Sequence, residues 1–367
     1  MRIGIDARIL AYQYGGTSQY IRWLAAALAE LESGNEFSLL LSWKDRRTQA
    51  PAPFETRRLL TPCHHRLEQV SLPLELLRAR LDVLHSPDFI PPFRRRCRSV
   101  ITVHDLAFMR FPDKLTRASL RYYRQIGRAA ASADGIIAVS ESTRCDLAEL
   151  LNVPPERVDV VHHAPDPRLR VMEEEERERF RRRWDLPRRF FLWVGVLEPR
   201  KNLLTLLEAQ ALLRRRGTQV LLLIVGGHGW LFQETLDAVQ RLRLQTLVRF
   251  FGPAASQELL GLYNTATGFL FPSLYEGFGF PPLEAMACGL PVISSNTSSL
   301  PEVLGEAAIY IEPTDARAWA DAIERVLENE TLRFQMRAVG VEQAARYSWR
   351  RTAEQTLAVY HRAAGNP

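Results

Sequence analysis

Glu276-Gly277-Phe278-Gly279-Phe280-Pro281-Pro282-Leu283-Glu284-Ala285-Met286-Ala287-Cys288-Gly289-Leu290-Pro291-Val292-Ile293 places two carboxylates eight positions apart, with a glycine loop and a Pro-Pro helix start between them. Just upstream, Thr267-Gly268-Phe269-Leu270-Phe271-Pro272-Ser273 is short, apolar and bounded by Gly and Pro, which reads as a buried strand. The order is therefore strand, glycine loop, helix, strand. In an open α/β sheet, ligands bind in the crevice at the carboxyl ends of such strands. The amides near Leu283 and Glu284 are expected to face that crevice at a helix N-terminus, where they favour an anion such as phosphate. Glu276 falls on the loop, toward the ligand, and Glu284 in the first helical turn. A helix dipole alone would explain Glu284. Packing alone gives no reason for a Gly-Phe-Gly wedged between a strand and a helix.

Outward from this segment, strand-like and helix-like stretches alternate along the whole chain, the pattern of parallel α/β sheets. Strands are expected at Arg2–Asp6, Phe37–Ser42, Asp82–His85, Ser99–His104, Gly135–Val139 and Val158–Val161. A second series runs through Phe190–Val194, Val220–Val225, Val248–Phe251, Gly268–Pro272, Pro291–Ser294 and Ala308–Ile311. Helices are expected at Ser18–Glu30, Leu115–Ala133 and Glu141–Leu150, with a solvated charged helix after Glu173. At 367 residues the chain suits two domains of roughly 150–180 residues each. We place them at 1–168 and 169–346, with 347–367 as a further helical segment.

The Glu-x7-Glu motif of Glu276 and Glu284 resembles that of the retaining glycosyltransferases of family 4, and the resemblance runs from Ile3-Gly4-Ile5-Asp6 to Tyr347-Ser348-Trp349. It implies two Rossmann-like domains facing a deep cleft, with the C-terminal helix crossing back to the first domain. The second domain would bind a nucleotide diphosphate sugar as co-substrate, and the first would present a glycan or lipid-linked acceptor. By resemblance, Glu284 would hold the nucleotide ribose, while Glu276 and the amides of Gly277, Phe278 and Gly279 would hold the sugar and its phosphate. Arg200-Lys201, at a helix start after the strand Phe190–Val194, match the family's basic pair. Fixed cations there lower the barrier by meeting charge that develops on the leaving diphosphate. Many relatives carry an arginine directly after Gly195, where this chain has Val196. His104, at the end of a strand, matches a family histidine close to the donor sugar, and Gly15-Gly16 a loop bordering the donor phosphate or the acceptor. Ser18 is a plausible N-cap for the helix after that loop. His162-His163 have no metal partners at usable spacing and receive no role beyond lining the hinge. Retention would proceed with the acceptor hydroxyl attacking the face that the diphosphate leaves. The wording Thr102-Val103-His104-Asp105-Leu106 and Leu197-Glu198-Pro199-Arg200-Lys201-Asn202 is similar to mannosyl- and hexosyltransferases of surface polysaccharide assembly, with GDP-mannose favoured and UDP-glucose next. A glycogen- or sucrose-synthase-like glucosyltransferase is the alternative within the fold.

Composition bounds these expectations. No Asp-x-Asp occurs, so no metal and no further cofactor is expected on the diphosphate. Gly226-Gly227-His228-Gly229 does not complete GxGxxG, and there is no Walker lysine. The net charge is +6, and lysine appears only at Lys44, Lys114 and Lys201. The arginines are dispersed and not interleaved with aromatics, which argues against a basic nucleic-acid-binding protein, the reading from a different class. Cys63, Cys97, Cys145 and Cys288 show no CxxC spacing, and with neither a signal peptide nor a spanning apolar run the expected setting is cytoplasmic. Arg117, Arg121, Arg124 and Arg128 would form one stripe on a helix and could rest on anionic lipid at the inner face of the membrane, or meet an anionic acceptor.

Overall fold

A computed structural model describes residues 1–12, 15–65, 67–111, 122–227 and 232–365. The chain divides into two compact units, Met1–His163 with Ser348–Pro367, and Ala164–Tyr347.

In the first unit, seven parallel strands form one sheet: β1 (Arg2–Asp6), β2 (Glu36–Ser42), β3 (Glu55–Leu59), β4 (Val83–Ser86), β5 (Arg98–Val103), β6 (Gly135–Ala138) and β7 (Val158–Val160). Their order is β3-β2-β1-β4-β5-β6-β7. The central strands are apolar on both faces, as helix-covered parallel strands must be, and Ile3, Ile5, Val100 and Ile101 are fully buried. β3 has no counterpart in the expected set. It is an edge strand of sequence Glu-Thr-Arg-Arg-Leu, with only Leu59 buried. The helix Trp349–Ala364 belongs to this unit. Its Thr352 hydroxyl donates to the His162 carbonyl at 2.7 Å, and its Tyr360 Oη lies 2.7 Å from His85 Nδ1. His85 Nε2 continues to Thr102 Oγ1 at 2.8 Å, which is 3.1 Å from Tyr20 Oη, a buried chain through four elements.

The second unit repeats the layout with β8 (Phe190–Val194), β9 (Leu221–Val225), β10 (Val248–Gly252), β11 (Gly268–Phe271), β12 (Val292–Ser295) and β13 (Ala308–Ile311) in the order β10-β9-β8-β11-β12-β13. All pairings are parallel. Each sheet thus reverses direction once, between β1 and β4 and between β8 and β11. A doubly wound sheet opens its ligand crevice at such a switch point. Charged Glu174–Arg183 is a helix, with a Glu173–Glu176 capping box at its start and Arg181–Arg183 in its last turn, the arrangement the helix dipole favours.

Candidate active site

At the switch point of the second sheet, β8 and β11 are neighbours, so the loops leaving their carboxyl ends meet. After β8 the chain enters a 3-10 turn, Pro199–Lys201, and Asn202 then takes a left-handed φ of 52° to start the helix Leu203–Arg215. The Asn202 side-chain amide donates to the carbonyls of Pro272 (3.2 Å) and Pro313 (2.6 Å), and the Leu274 N–H donates to the Arg200 carbonyl at 2.8 Å. These bonds tie the two loops together and turn Lys201 inward. Its Nζ lies 2.6 Å from Glu276 Oε1 and 5.1 Å from the centre of the Phe271 ring. Arg200 Nη1 is 3.1 Å from Glu276 Oε2 and donates to the Tyr275 carbonyl at 2.9 Å. Glu198 touches Arg200 at 3.5 Å from the more exposed rim.

Glu276 is held from several directions. Ser273 Oγ donates to its Oε1 at 2.6 Å, its N–H donates to Ser298 Oγ at 2.8 Å, and its carbonyl accepts from Ser299 Oγ at 2.9 Å. Burial alone would raise its pKa. The charges of Lys201 and Arg200 and the hydrogen bonds from Lys201 and Ser273 outweigh burial and hold the carboxyl below its usual range. Glu276 is therefore fixed as an acceptor and has no proton to give. Burial pulls the Lys201 ammonium down, with Arg200 adding to it, against the upward pull of Glu276. Two cations meet the one buried carboxylate, and Glu198 at the rim offsets the second, so the cluster as it stands is close to neutral.

The glycine loop reaches its corner at Gly279, where φ is 97° and a Cβ would sit 2.7 Å from Leu300 Cδ2. Only glycine fits there without displacing a neighbour. The helix that follows is Phe280–Ala287, so Glu284 is its fifth residue and stands in the second turn, not the first. The Leu283 and Glu284 N–H groups fall where the helix supplies its own acceptors. Pro281 and Pro282 lack an N–H, which leaves Gly277, Phe278, Gly279 and Phe280 as the residues carrying N–H groups at this end. Glu284 is buried and accepts from Tyr263 Oη at 3.2 Å. Gly226 serves a close approach: with φ at 147°, a Cβ would lie 1.7 Å from the Gly195 carbonyl oxygen. His228 and Gly229 lie outside the described residues.

In the first unit, Gly15 is the N-cap of the helix Gly16–Ala29. Ser18, expected as the cap, is instead buried as the third helical residue, because the glycines let the helix begin earlier. His104 follows β5; its Nδ1 lies 3.3 Å from His163 Nε2, and its ring stands edge-on to Tyr20 at 5.1 Å. Burial holds His104 below its ordinary value against the pull of Asp88 and Asp105. His163, given no chemical role from sequence, is thus the partner of His104 and stacks on Trp349 at 6.0 Å. Burial, with His104 and His162, pushes it well down.

A further cluster went unseen in the sequence. At the β1/β4 switch point, Arg8 Nη2 lies 2.6 Å from Asp6 Oδ2 and 2.5 Å from Glu68 Oε1, while Nη1 donates to the Thr61 carbonyl at 2.9 Å. Glu68 Oε2 accepts from the His64 N–H at 3.0 Å, and the His64 ring is bonded to Asp88. Ser86 Oγ is buried beside this group with no hydrogen-bond partner among the described residues. Of the arginine stripe, Arg117 and Arg121 lie outside the described residues. Arg124 is exposed in a turn that interrupts the expected helix, before Ile126–Ser132, and Arg128 lies over the Phe93 ring at 4.1 Å.

Two parallel sheets, each with a switch point, are the architecture of the two-Rossmann-domain (GT-B) glycosyltransferases. Residues 14–169 match the model described as Glycosyltransferase Family 4, and residues 174–343 the model described as Glycosyl transferases group 1. The O-antigen chain mannosyltransferase B of Escherichia coli is 32% identical over 289 residues, covering 76% of this chain and 74% of that protein. The serotype-specific mannosyltransferase WbdA of Escherichia coli is 33% identical over 232 residues, but the match covers 60% of this chain and 28% of that much longer protein. Among solved structures, sucrose-phosphate synthase from Thermosynechococcus elongatus superimposes with a TM-score of 0.82 at 22% identity, over 98% of both chains. The chain belongs to glycosyltransferase family 4. That membership does not favour the nucleic-acid-binding alternative.

Proposed function

We propose that the protein is a retaining mannosyltransferase of surface polysaccharide assembly, moving mannose from GDP-mannose to a glycan or lipid-linked acceptor without a metal. The reading rests first on the Arg200-Lys201-Glu276 cluster. Its cations are already in place and largely dehydrated, so little reorganisation is needed as charge develops on the leaving diphosphate. Glu276, ionised and tethered, suits acceptance of hydrogen bonds from sugar hydroxyls and does not suit general-acid work. Glu284, oriented by Tyr263, would take the ribose hydroxyls, and the N–H groups of Gly277, Phe278 and Gly279 the phosphate. His104 would contact the donor sugar and Gly15-Gly16 the donor phosphate. With the diphosphate stabilised by protein cations, the departing phosphate oxygen can remove the acceptor proton. The choice of mannose follows the mannosyltransferase relatives, with UDP-glucose the next donor to try.

The test is transfer from GDP-mannose, UDP-glucose and ADP-glucose to a mannosylated acceptor, with the anomeric configuration of the product read by NMR. An α-linked mannoside made equally well in EDTA is expected. A β-linked product removes retention, and activity restored only by magnesium or manganese removes the protein cation clamp.

A further inference from the structure

The two ring nitrogens of His104 have different surroundings. Nδ1 lies 3.3 Å from His163 Nε2, whereas Nε2 is buried and makes no hydrogen bond among the described residues. A buried ring nitrogen without a partner calls for one. Whether it gives or takes a hydrogen bond depends on where the single ring proton of the neutral imidazole sits. Two arrangements satisfy the 3.3 Å contact. Either His163 Nε2–H donates to an unprotonated His104 Nδ1, or His104 Nδ1–H donates to an unprotonated His163 Nε2. Pro87 decides between them. Burial lowers the His104 pKa, and one of the pulls against burial is a hydrogen bond to the Pro87 backbone, which has only a carbonyl to offer. A carbonyl takes an N–H, and since Nε2 has no partner, that N–H is on Nδ1. The proton is then shared between the Pro87 carbonyl and His163 Nε2, and His104 Nε2 presents a lone pair.

His163 is itself immobilised. It is 1% exposed and packs on two aromatic rings, Tyr20 at 4.6 Å and Trp349 at 6.0 Å, the second within 20° of parallel. The Tyr20 hydroxyl is tied to Thr102 Oγ1 at 3.1 Å. Trp349 opens the C-terminal helix, and one turn on, Thr352 donates to the carbonyl of His162, the chain neighbour of His163. The helix therefore holds His163 through its ring and through the adjoining backbone. Packing alone would be served by a phenylalanine at 163. Two buried ring nitrogens brought together cost free energy unless a proton lies between them.

We propose that His163, clamped by Trp349 of the C-terminal helix, is a positioning residue that locks His104 as its Nδ1–H tautomer, so that His104 Nε2 accepts a hydrogen bond from a hydroxyl of the bound sugar. The part played toward a sugar rests on the function proposed above; the tautomer lock does not. An imidazole held neutral, acting as acceptor, steadies the sugar without placing positive charge beside a carbon that becomes electron-poor as the leaving group departs.

The full chain with isotope-labelled histidine is read by proton–nitrogen correlation at neutral pH, which separates protonated from unprotonated ring nitrogens. The His104 signals are those lost in His104→Gln. A single Nδ1–H tautomer is expected. His163→Phe keeps a ring against Tyr20 and Trp349 but removes the acceptor. His104 should then populate both tautomers, and kcat should fall by up to roughly tenfold, the scale of one hydrogen bond, with nucleoside diphosphate affinity unchanged. His163→Gln, whose amide oxygen can take the same N–H, should restore most of both, and Trp349→Leu should give an intermediate effect. Circular dichroism and melting temperature confirm that each variant folds. A wild-type His104 protonated on Nε2 overturns the proposal, as does a His163→Phe variant with tautomer and kcat both unchanged. A mixed tautomer at full kcat overturns the acceptor role of Nε2. A wild type that transfers no sugar yet shows the Nδ1–H tautomer supports the lock and overturns only the function it serves.

Discussion

The two switch points occupy the same place in two sheets of the same winding, yet they differ in charge. Between β8 and β11, Arg200 and Lys201 enclose Glu276, with Glu198 only at the rim. Between β1 and β4, the carboxylates of Asp6, Glu68 and Asp88 surround Arg8 and His64. The environments bend their groups accordingly. Burial raises Glu68 even beside Arg8, and it pushes the nearby Cys63 thiol up to about 12, whereas Glu276 is held low. The fold supplies the crevice twice, and the side chains after each strand choose its ligand. A crevice lined by a cation pair favours an anion, and one ringed by three carboxylates repels it.

The largest test of this contrast is Arg8→Ala. It strands the buried carboxylate of Glu68 and the partly buried one of Asp6, and breaking a buried pair of this kind costs about 3–5 kcal/mol. Calorimetry should show the first unit melting markedly earlier, while nucleoside diphosphate affinity stays unchanged. A drop in nucleotide affinity at fixed folding would show that the two crevices do not have separate jobs. Next is Lys201→Ala, expected to cut turnover by roughly 10²–10³, the scale for one preorganised charge stabiliser. Retention of full kcat would reduce the second cluster to a structural ion pair.

Acid should also separate the units. Burial, and His104 after it, lowers His85 to about 3, and His104 and His163 are lowered as well. Their neutral forms are the native ones. The unfolded chain takes up protons below about 6.5, so stability falls as pH drops from there toward 3, by about 1.4 kcal/mol per pH unit for His85 alone. His64 works in the opposite sense. Burial lowers it, but the hydrogen bond and charge of Asp88 prevail and leave it raised, so its contribution is lost as pH rises. Three groups outnumber one, and the second unit has only His228. The calorimetric transition of the first unit should shift further between pH 7 and pH 5; equal shifts would contradict this. The smallest effect is that of Tyr263→Phe. Removing its hydrogen bond to Glu284 should weaken nucleoside diphosphate binding by roughly three- to tenfold, about one hydrogen bond, and isothermal titration reads it directly.

Much of the architecture was legible because buried parallel strands are written as continuous apolar runs, as Phe190–Val194 and Gly268–Phe271 show. β3 was not, since an edge strand needs no such run and Glu-Thr-Arg-Arg-Leu resembles any solvated turn. Within the candidate site, the Glu-x7-Glu spacing and the Arg-Lys pair were visible as local words. Their meeting across 75 positions is a property of the sheet order. Arg8 gave no signal, being one arginine in a chain that uses it in place of lysine nearly everywhere, and its partner Glu68 lies 60 positions away in a leucine-rich stretch. Glu284 stands one residue deeper in its helix than the sequence suggests, because Pro281-Pro282 reads as a helix start, whereas Phe280 already occupies that place.

The helix Trp349–Ala364 completes the first unit from the far side of the second in chain order. On the ribosome this inverts the usual succession, in which domains finish from the N-terminus onward. All of Ala164–Tyr347 emerges before Tyr360 can reach His85. The second unit can therefore close first, and the nascent first unit waits with β4, β5 and β6 lacking one of their covering helices. Throughout that interval the side chains this helix later seals, His85 among them, are open to solvent and to chaperones. The order of synthesis thus leaves the first unit incomplete until Trp349–Ala364 emerges.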